Sequence, residues 1–196
     1  MDTYSPEEKF ILRKLEKDLP RDLTYHGLHH TLDVFNAAIK IAQEQHISEH
    51  DMKLLRIATL YHDAGFTSVY RHHEEAGCLM ARKDLKEEGY SHEDIDTICG
   101  MIMATKIPQN PGNILEQIIC DADLDYLGRN DFHKISNTLF REMKVYVNLH
   151  DEKEWYKIQK KFLENHKYYT SFARINREPL KQQHLQKICD IVESYH

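Results

Sequence analysis

The segment Leu54-Leu55-Arg56-Ile57-Ala58-Thr59-Leu60-Tyr61 is largely apolar, and it runs directly into His62-Asp63, with Gly65 two residues further on. Ser48-x-x-Asp51 precedes it as a helix-start signal, so the stretch predicts a buried helix that ends near Asp63. Gly65 is placed to supply the C-terminal turn. An imidazole and a carboxylate at the end of a buried helix are costly to desolvate unless something pairs with them. A divalent cation would do so. The pair therefore restricts the folds open to this chain, because other segments must bring further ligands to the same helix end. Two candidate segments flank it: Tyr25-His26-Gly27-Leu28-His29-His30 upstream and Asp121-Ala122-Asp123-Leu124 downstream.

The rest of the chain reads as helices. Ser5-Pro6-Glu7-Glu8 is a capping box with proline at the first helical position, and Phe10, Ile11, Leu15 and Leu19 mark one face up to Pro20. A second helix is expected over about 29–45, with Leu32, Phe35, Ala38, Ile39 and Ala42 at helical spacing. After a loop at 66–71, the segment 72–88 reads as a helix closed by Gly89, and Ser91-x-x-Asp94 opens the next. Ile107-Pro108-Gln109-Asn110-Pro111-Gly112 breaks the pattern, which resumes over 114–126 until Gly128. Three more helical stretches follow, at roughly 131–149, 152–165 and 179–195. No strand pair, repeat or boundary of composition appears. The expectation is an all-α, single-domain helical bundle over 1–196, with a metal-site core at about 25–128 and C-terminal helices at 129–196.

Composition narrows the partners. A length of 196 residues, 41% hydrophobic and 30% charged, suits one globular domain. Lys+Arg 26 against Asp+Glu 32 leaves a net charge of −6, which carries no footprint for nucleic acid. No apolar run approaches the roughly 20 residues of a membrane span, and Met1-Asp2-Thr3-Tyr4-Ser5-Pro6 has no leader-like pattern. Cys78, Cys99, Cys120 and Cys189 form no C-x-x-C pair and read as reduced core thiols, so a cytoplasmic protein is expected. Of the 14 histidines, His46, His50, His92, His133, His150, His184 and His196 read as ordinary surface, capping or core residues. The cluster at 26, 29 and 30 does not. The sequence sets no oligomeric state.

Four residues then stand out: His30, His62, Asp63 and Asp123. Two imidazoles and two carboxylates from three predicted helices make a mixed nitrogen/oxygen site for one divalent ion, Mn²⁺, Mg²⁺, Fe²⁺, Co²⁺ or Zn²⁺. Helical neighbours point about 100° apart, so His62 and Asp63 can meet one ion only near a helix end.

The ordered set His30, His62-Asp63 and Asp123 on a helical background resembles the HD-domain metal-dependent phosphohydrolases. The resemblance implies an HD-type helical fold and two His and two Asp around a divalent metal. It selects Asp123, the aspartate before Leu124, over Asp121. It extends through Phe162 to Thr170, which is similar to the closing segment of small bacterial HD hydrolases; His166, Tyr169 and Thr170 would close the pocket. Tyr25-His26-x-x-x-His30-x-x-Asp33-Val34 is also similar to a segment of cyclic-nucleotide phosphodiesterases. That likeness implies His26 as the acid that protonates the leaving oxygen and His30 as a ligand. Gly27 stands where those enzymes carry asparagine, and Ala64-Gly65-Phe66-Thr67-Ser68-Val69 replaces their H-x-G-x-x-N, so one metal rather than two is expected. In related HD hydrolases the segment after the pair supplies groups near the metal. This makes Glu74 or Glu75 a candidate to orient water and His73 a candidate to contact phosphate, although acidic residues in a first helical turn also arise from the helix dipole alone. Lys106 is the candidate for a phosphate oxygen.

The function implied is a metal-dependent phosphohydrolase acting on a phosphoester or phosphoanhydride, a nucleotide by preference, with metal-activated water as nucleophile and with His26, Asp63 and Glu74 in catalytic roles. The alternatives are a cyclic-nucleotide phosphodiesterase specifically, a non-catalytic nucleotide- or metal-binding HD module, a di-iron oxygenase that would use His72-His73, or a helical interaction protein.

Overall fold

The computed structural model describes residues 4–195; the reading of Met1–Thr3 and of His196 lies outside the described residues. Among those residues there are ten α-helices, two 3₁₀ turns and no strand. The helices are α1 (Pro6–Asp18), α2 (Leu28–Gln43), α3 (Glu49–Tyr61), α4 (His73–Glu87), α5 (His92–Ala104), α6 (Ile114–Asp123), α7 (Phe132–Tyr146), α8 (Glu152–Asn165), α9 (Ser171–Asn176) and α10 (Glu178–Glu193). The 3₁₀ turns span Ala64–Thr67 and Asp125–Gly128. The fold is all-α and single-domain, and no described helix is long and apolar enough to cross a membrane.

Local chemistry sets the helix starts. Ser5 and Glu8 form the reciprocal capping box, and Ser48 and Ser91 accept from the amides of Asp51 and Asp94. Glu8 is almost fully buried, and Arg56 of α3 grips it with two bonds, Nε to Oε1 at 2.6 Å and Nη2 to Oε2 at 2.8 Å, which fastens α1 to α3. The faces of α1 to α6 then bury one apolar cluster around Ile11, Leu55, Ile57, Ile98, Ile102 and Ile118. A second cluster joins the remaining helices through Leu127, Phe132, Leu163, Tyr168 and Ile188, with Phe172 packing against both clusters. Cys78, Cys99 and Cys120 are buried free thiols, as the sequence led one to expect, and Cys189 is half-buried.

Several local expectations are corrected. The helix placed at 114–126 stops at Asp123, with a separate 3₁₀ turn beyond it, and the stretch at 131–149 is helical only over Phe132–Tyr146. The short helix α9 escaped notice, since six residues show too little periodicity to register. His184, read as an ordinary surface, capping or core histidine, is one of the core set; its Nε2–H donates to the carbonyl of Arg129 at 2.9 Å.

Gly65 does not act as a left-handed helix cap. Helix α3 ends at Tyr61 with His62 still near helical geometry; Asp63 then departs to φ −106° and ψ 6°, and Gly65 sits inside the 3₁₀ turn. Its task is close approach: a Cβ there would lie 1.9 Å from the backbone oxygen of His73. Across the same crossing, a Cβ on Gly77 would lie 2.8 Å from the carbonyl of Tyr61. Both glycines let α4 lie against the turn that carries Asp63. Gly65→Ala should force the two apart, lowering stability by about 1–3 kcal/mol as overpacking does. Denaturant unfolding of the variant, with a parallel Mn²⁺ titration, should show both a lower midpoint and weaker metal binding.

Candidate metal centre

Three helix ends converge on one point. His30 lies in the first turn of α2, His62 and Asp63 follow the last residue of α3, and Asp123 ends α6. Because the backbone leaves the helix at Asp63, the two neighbours turn to the same place: His62 Nε2 lies 3.2 Å from Asp63 Oδ2. His30 Nε2 lies 3.4 Å from that oxygen and 3.1 Å from Asp123 Oδ1, and His62 Nε2 is 3.6 Å from Asp123 Oδ1. Ligand atoms of His30, His62 and Asp123 all fall within 4.8 Å of one another, the span of a single coordination sphere.

Two observations show that this set fits a cation. The Thr59 carbonyl, which can only accept, sits 2.7 Å from His62 Nδ1. Nδ1 therefore carries the proton, and Nε2 is left facing the cluster, the arrangement that orients a ligating histidine. Second, His62 Nε2 and Asp63 Oδ2 are buried, with no hydrogen-bond partner among the described residues. Such orphaned polar atoms are costly unless a ligand satisfies them.

The electrostatics agree. Burial opposes ionisation of Asp63, yet the neighbouring histidines override it and hold its carboxyl far below the usual range. Asp123, likewise opposed by burial, is lowered to about 2 by His30 and His62. Burial also disfavours a charged His62, but the Asp63 and Asp123 carboxylates raise its pKa well above the ordinary value. With no cation these carboxylates hold protons on imidazole; a cation would balance them instead.

Asp121 is placed elsewhere. It is fully buried, and its oxygens accept from the backbone N–H groups of Tyr169 at 2.8 Å and Thr170 at 2.7 Å. Burial pushes its pKa up to about 6, against the pull of those donors. It ties the segment after α8 to α6. Tyr169 and Thr170 serve that attachment, Tyr169 also through its hydroxyl to the carbonyl of Gln109, and His166 sits with its carbonyl accepting from Lys181 Nζ. None of the three lines the cavity beside the metal cluster.

That cavity has a volume of about 350 Å³ and reaches from Asp63 and Asp123 past His26, His73 and Glu74. His73 Nε2 lies 3.4 Å from the outer oxygen of Asp63 and 3.5 Å from Glu74 Oε1. His72, in left-handed backbone at φ 61°, turns the chain so that these two enter α4 on the cavity side. Glu74 is buried there, while Glu75 is half-exposed and pairs outward with Lys106. Lys106 is therefore engaged by Glu75 and does not line the cavity. His29 lies apart as well, on a separate depression with Asp33 and Arg129.

His26 has a partner that sequence reasoning missed. Its Nδ1 lies 2.5 Å from Oε1 of Glu142, a residue of α7 with no solvent exposure. Glu142 Oε2 also accepts the backbone N–H groups of Tyr25 and His26 at 2.8 and 3.0 Å, and the Tyr70 hydroxyl donates to Oε1 at 3.2 Å. Burial lowers the His26 pKa, but the Glu142 hydrogen bond and the nearby carboxylates outweigh it and raise the value. The His26 ring stacks on Phe66 at 4.3 Å, and Phe66 stacks on His73 at 4.0 Å, so both histidines are held beside the cluster. The signal for Glu142 was a charge on the apolar stripe of α7, in register with Phe132, Ile135 and Leu139.

A family model for the HD domain matches residues 27–125, half of the chain, and covers all four clustered residues. The chain belongs to the HD-domain family. That places it in a superfamily of metal-dependent hydrolases. A crystal structure of a predicted HD superfamily hydrolase from an uncultured Thermotogales bacterium shares the fold, with a TM-score of 0.61 and 20% identity over 97% of this chain and 92% of that one. No curated protein matches the sequence.

The two aspartates of α6 should separate cleanly by substitution. Asp123→Asn is expected to abolish metal retention by the purified HD protein, measured by elemental analysis. Asp121→Asn should retain metal but lose about 1–3 kcal/mol of stability, because an amide nitrogen would face a backbone N–H.

Proposed function

We propose that this HD-domain protein is a metal-dependent phosphohydrolase that cleaves a phosphoester or phosphoanhydride of a small substrate with water. The observation that supports this most is the pair of orphaned atoms, His62 Nε2 and Asp63 Oδ2, in a four-ligand cluster open to a cavity. His30, His62, Asp63 and Asp123 would hold one divalent ion. When bound, that ion supplies a Lewis acid for the phosphoryl oxygens and a lowered water pKa.

The protein's own groups supply the rest. Asp63 has an outer oxygen near His73, so the pair can receive the proton leaving the attacking water. Glu74, buried beside His73, orients that histidine. His26 gives a proton to the leaving oxygen. The Glu142 carboxylate accepts from Nδ1 and leaves Nε2 as the donor to substrate, and its charge keeps the ring protonated to higher pH. Stacking against Phe66 holds both rings, which lowers the ordering cost of the reaction.

The test is phosphate release from a panel of phosphoesters with Mn²⁺, Mg²⁺, Co²⁺, Fe²⁺ or Zn²⁺, with His62→Ala as the inactive control. Absence of release from every ester with every metal would overturn the reading. Within it, His26→Ala should reduce kcat about 10²- to 10⁴-fold for alkyl esters and much less for p-nitrophenyl phosphate, whose leaving group needs no proton. Glu142→Gln removes a charge that holds the His26 pKa up. The alkaline limb of kcat/KM, where the acid loses its proton, should therefore move to lower pH.

A further inference from the structure

The wall of the cavity away from the cluster bears on what the enzyme accepts. Beyond the polar end, the lining is Leu127, Phe132, Leu139, Met143, Trp155 and Leu163, drawn from the second 3₁₀ turn and from α7 and α8. Among the described residues, no lysine or arginine lines the cavity. The polar groups on that side are mostly committed: the Thr105 hydroxyl donates to the Ile102 carbonyl at 2.8 Å and Tyr70 donates to Glu142. Gln159, buried at 7% exposure, adds an uncharged amide. The apolar lining also continues outward. Ile107, Val147 and Ile158, which are 54%, 38% and 38% exposed, stand at the same cavity.

These features select among phosphorylated substrates. A polyphosphate needs cationic side chains for the phosphates that the metal does not reach, and here the charged and titratable groups lining the cavity are the carboxylates of Asp63, Glu74 and Asp123 and the imidazoles of His26 and His73, all at its polar end. A nucleoside would bring sugar hydroxyls and several base-edge groups to a wall that is mostly hydrocarbon and whose polar groups are few: Gln159, the Trp155 indole N–H and the Tyr126 hydroxyl. Each polar group buried without a partner would weaken binding severalfold or more. A hydrocarbon body meets none of these penalties, and the exposed rim accommodates one longer than the cavity.

We propose that the cavity takes the phosphomonoester of an apolar alcohol, with its phosphoryl group at the His/Asp cluster and its hydrocarbon body along the α7–α8 wall. This rests on the phosphohydrolase reading of the cluster. Water adds to phosphorus, the bond from phosphorus to the alcohol oxygen breaks, and that oxygen takes the proton from His26, giving the free alcohol and inorganic phosphate.

Trp155 is the one tryptophan of the chain and lines this wall, so its fluorescence reports occupancy independently of turnover. The full-length, Mn²⁺-loaded protein is titrated with non-hydrolysable alkyl phosphonates from methyl to octyl and with AMP, and phosphate release is measured from the matching alkyl phosphates. Affinity is expected to rise about threefold to fourfold per methylene until the wall is covered, to exceed that for AMP at least tenfold, and to be mirrored in kcat/KM. Ile158→Asp, an exposed rim substitution whose folding is checked by its melting curve, should flatten the chain-length dependence. Chain-length-dependent binding without any phosphate release would retain the apolar occupant and overturn the phosphohydrolase reading. A flat chain-length series, or AMP binding as tightly as octyl phosphonate, would overturn the apolar occupant whether or not phosphate is released.

Discussion

The structure depends on one unfavourable act: the removal of two imidazoles and two carboxylates from water at a single point. His30, His62, Asp63 and Asp123 come from the ends of α2, α3 and α6, and these helices share the larger apolar cluster. Packing that cluster forces the four polar groups together, and their desolvation must then be balanced by protons or by a cation. The raised pKa of His62 is the proton solution; the unpartnered Nε2 and Oδ2 mark where the cation solution fits better. Metal affinity and helix packing are thereby linked, since whatever separates the three helix ends also disperses the ligands.

A second layer holds the chemistry in place. The Thr59 carbonyl sets the tautomer of His62, Glu142 sets that of His26, and Phe66 stacks against the rings of both His26 and His73. Gly65 and Gly77 allow the backbone crossing that makes this possible. Each of these residues acts through a neighbour, by geometry that a bulkier or uncharged group at the same position would not reproduce.

The cavity divides between two parts of the chain. Its ligands and much of its polar end come from residues within 27–125, where the HD family model matches, and most of its apolar wall comes from α7 and α8 beyond it. Glu142 crosses that division, reaching from α7 to the histidine that opens the polar segment. The C-terminal helices therefore both shape the cavity and hold His26.

Much of this was legible in the residues alone, for a physical reason. Helix starts at Ser5, Ser48 and Ser91 follow from hydrogen bonds three residues apart, and the buried stripes follow from helical period, so both can be read within a short window. The ordered His30, His62-Asp63 and Asp123 pattern was legible because few residue sets combine those types at helix ends. What escaped needed partners outside the helix or turn that carries each residue. Gly65 is explained by the backbone of His73, Asp121 by the amides of Tyr169 and Thr170, and Glu142 by a histidine more than a hundred positions away. By itself the sequence determined an all-α chain carrying a set of candidate metal ligands, because periodicity and residue type are local. Only the tertiary structure decided what Asp121 holds, which carboxylate holds His26 and what lines the cavity, because each is settled by which surfaces meet when the helices pack.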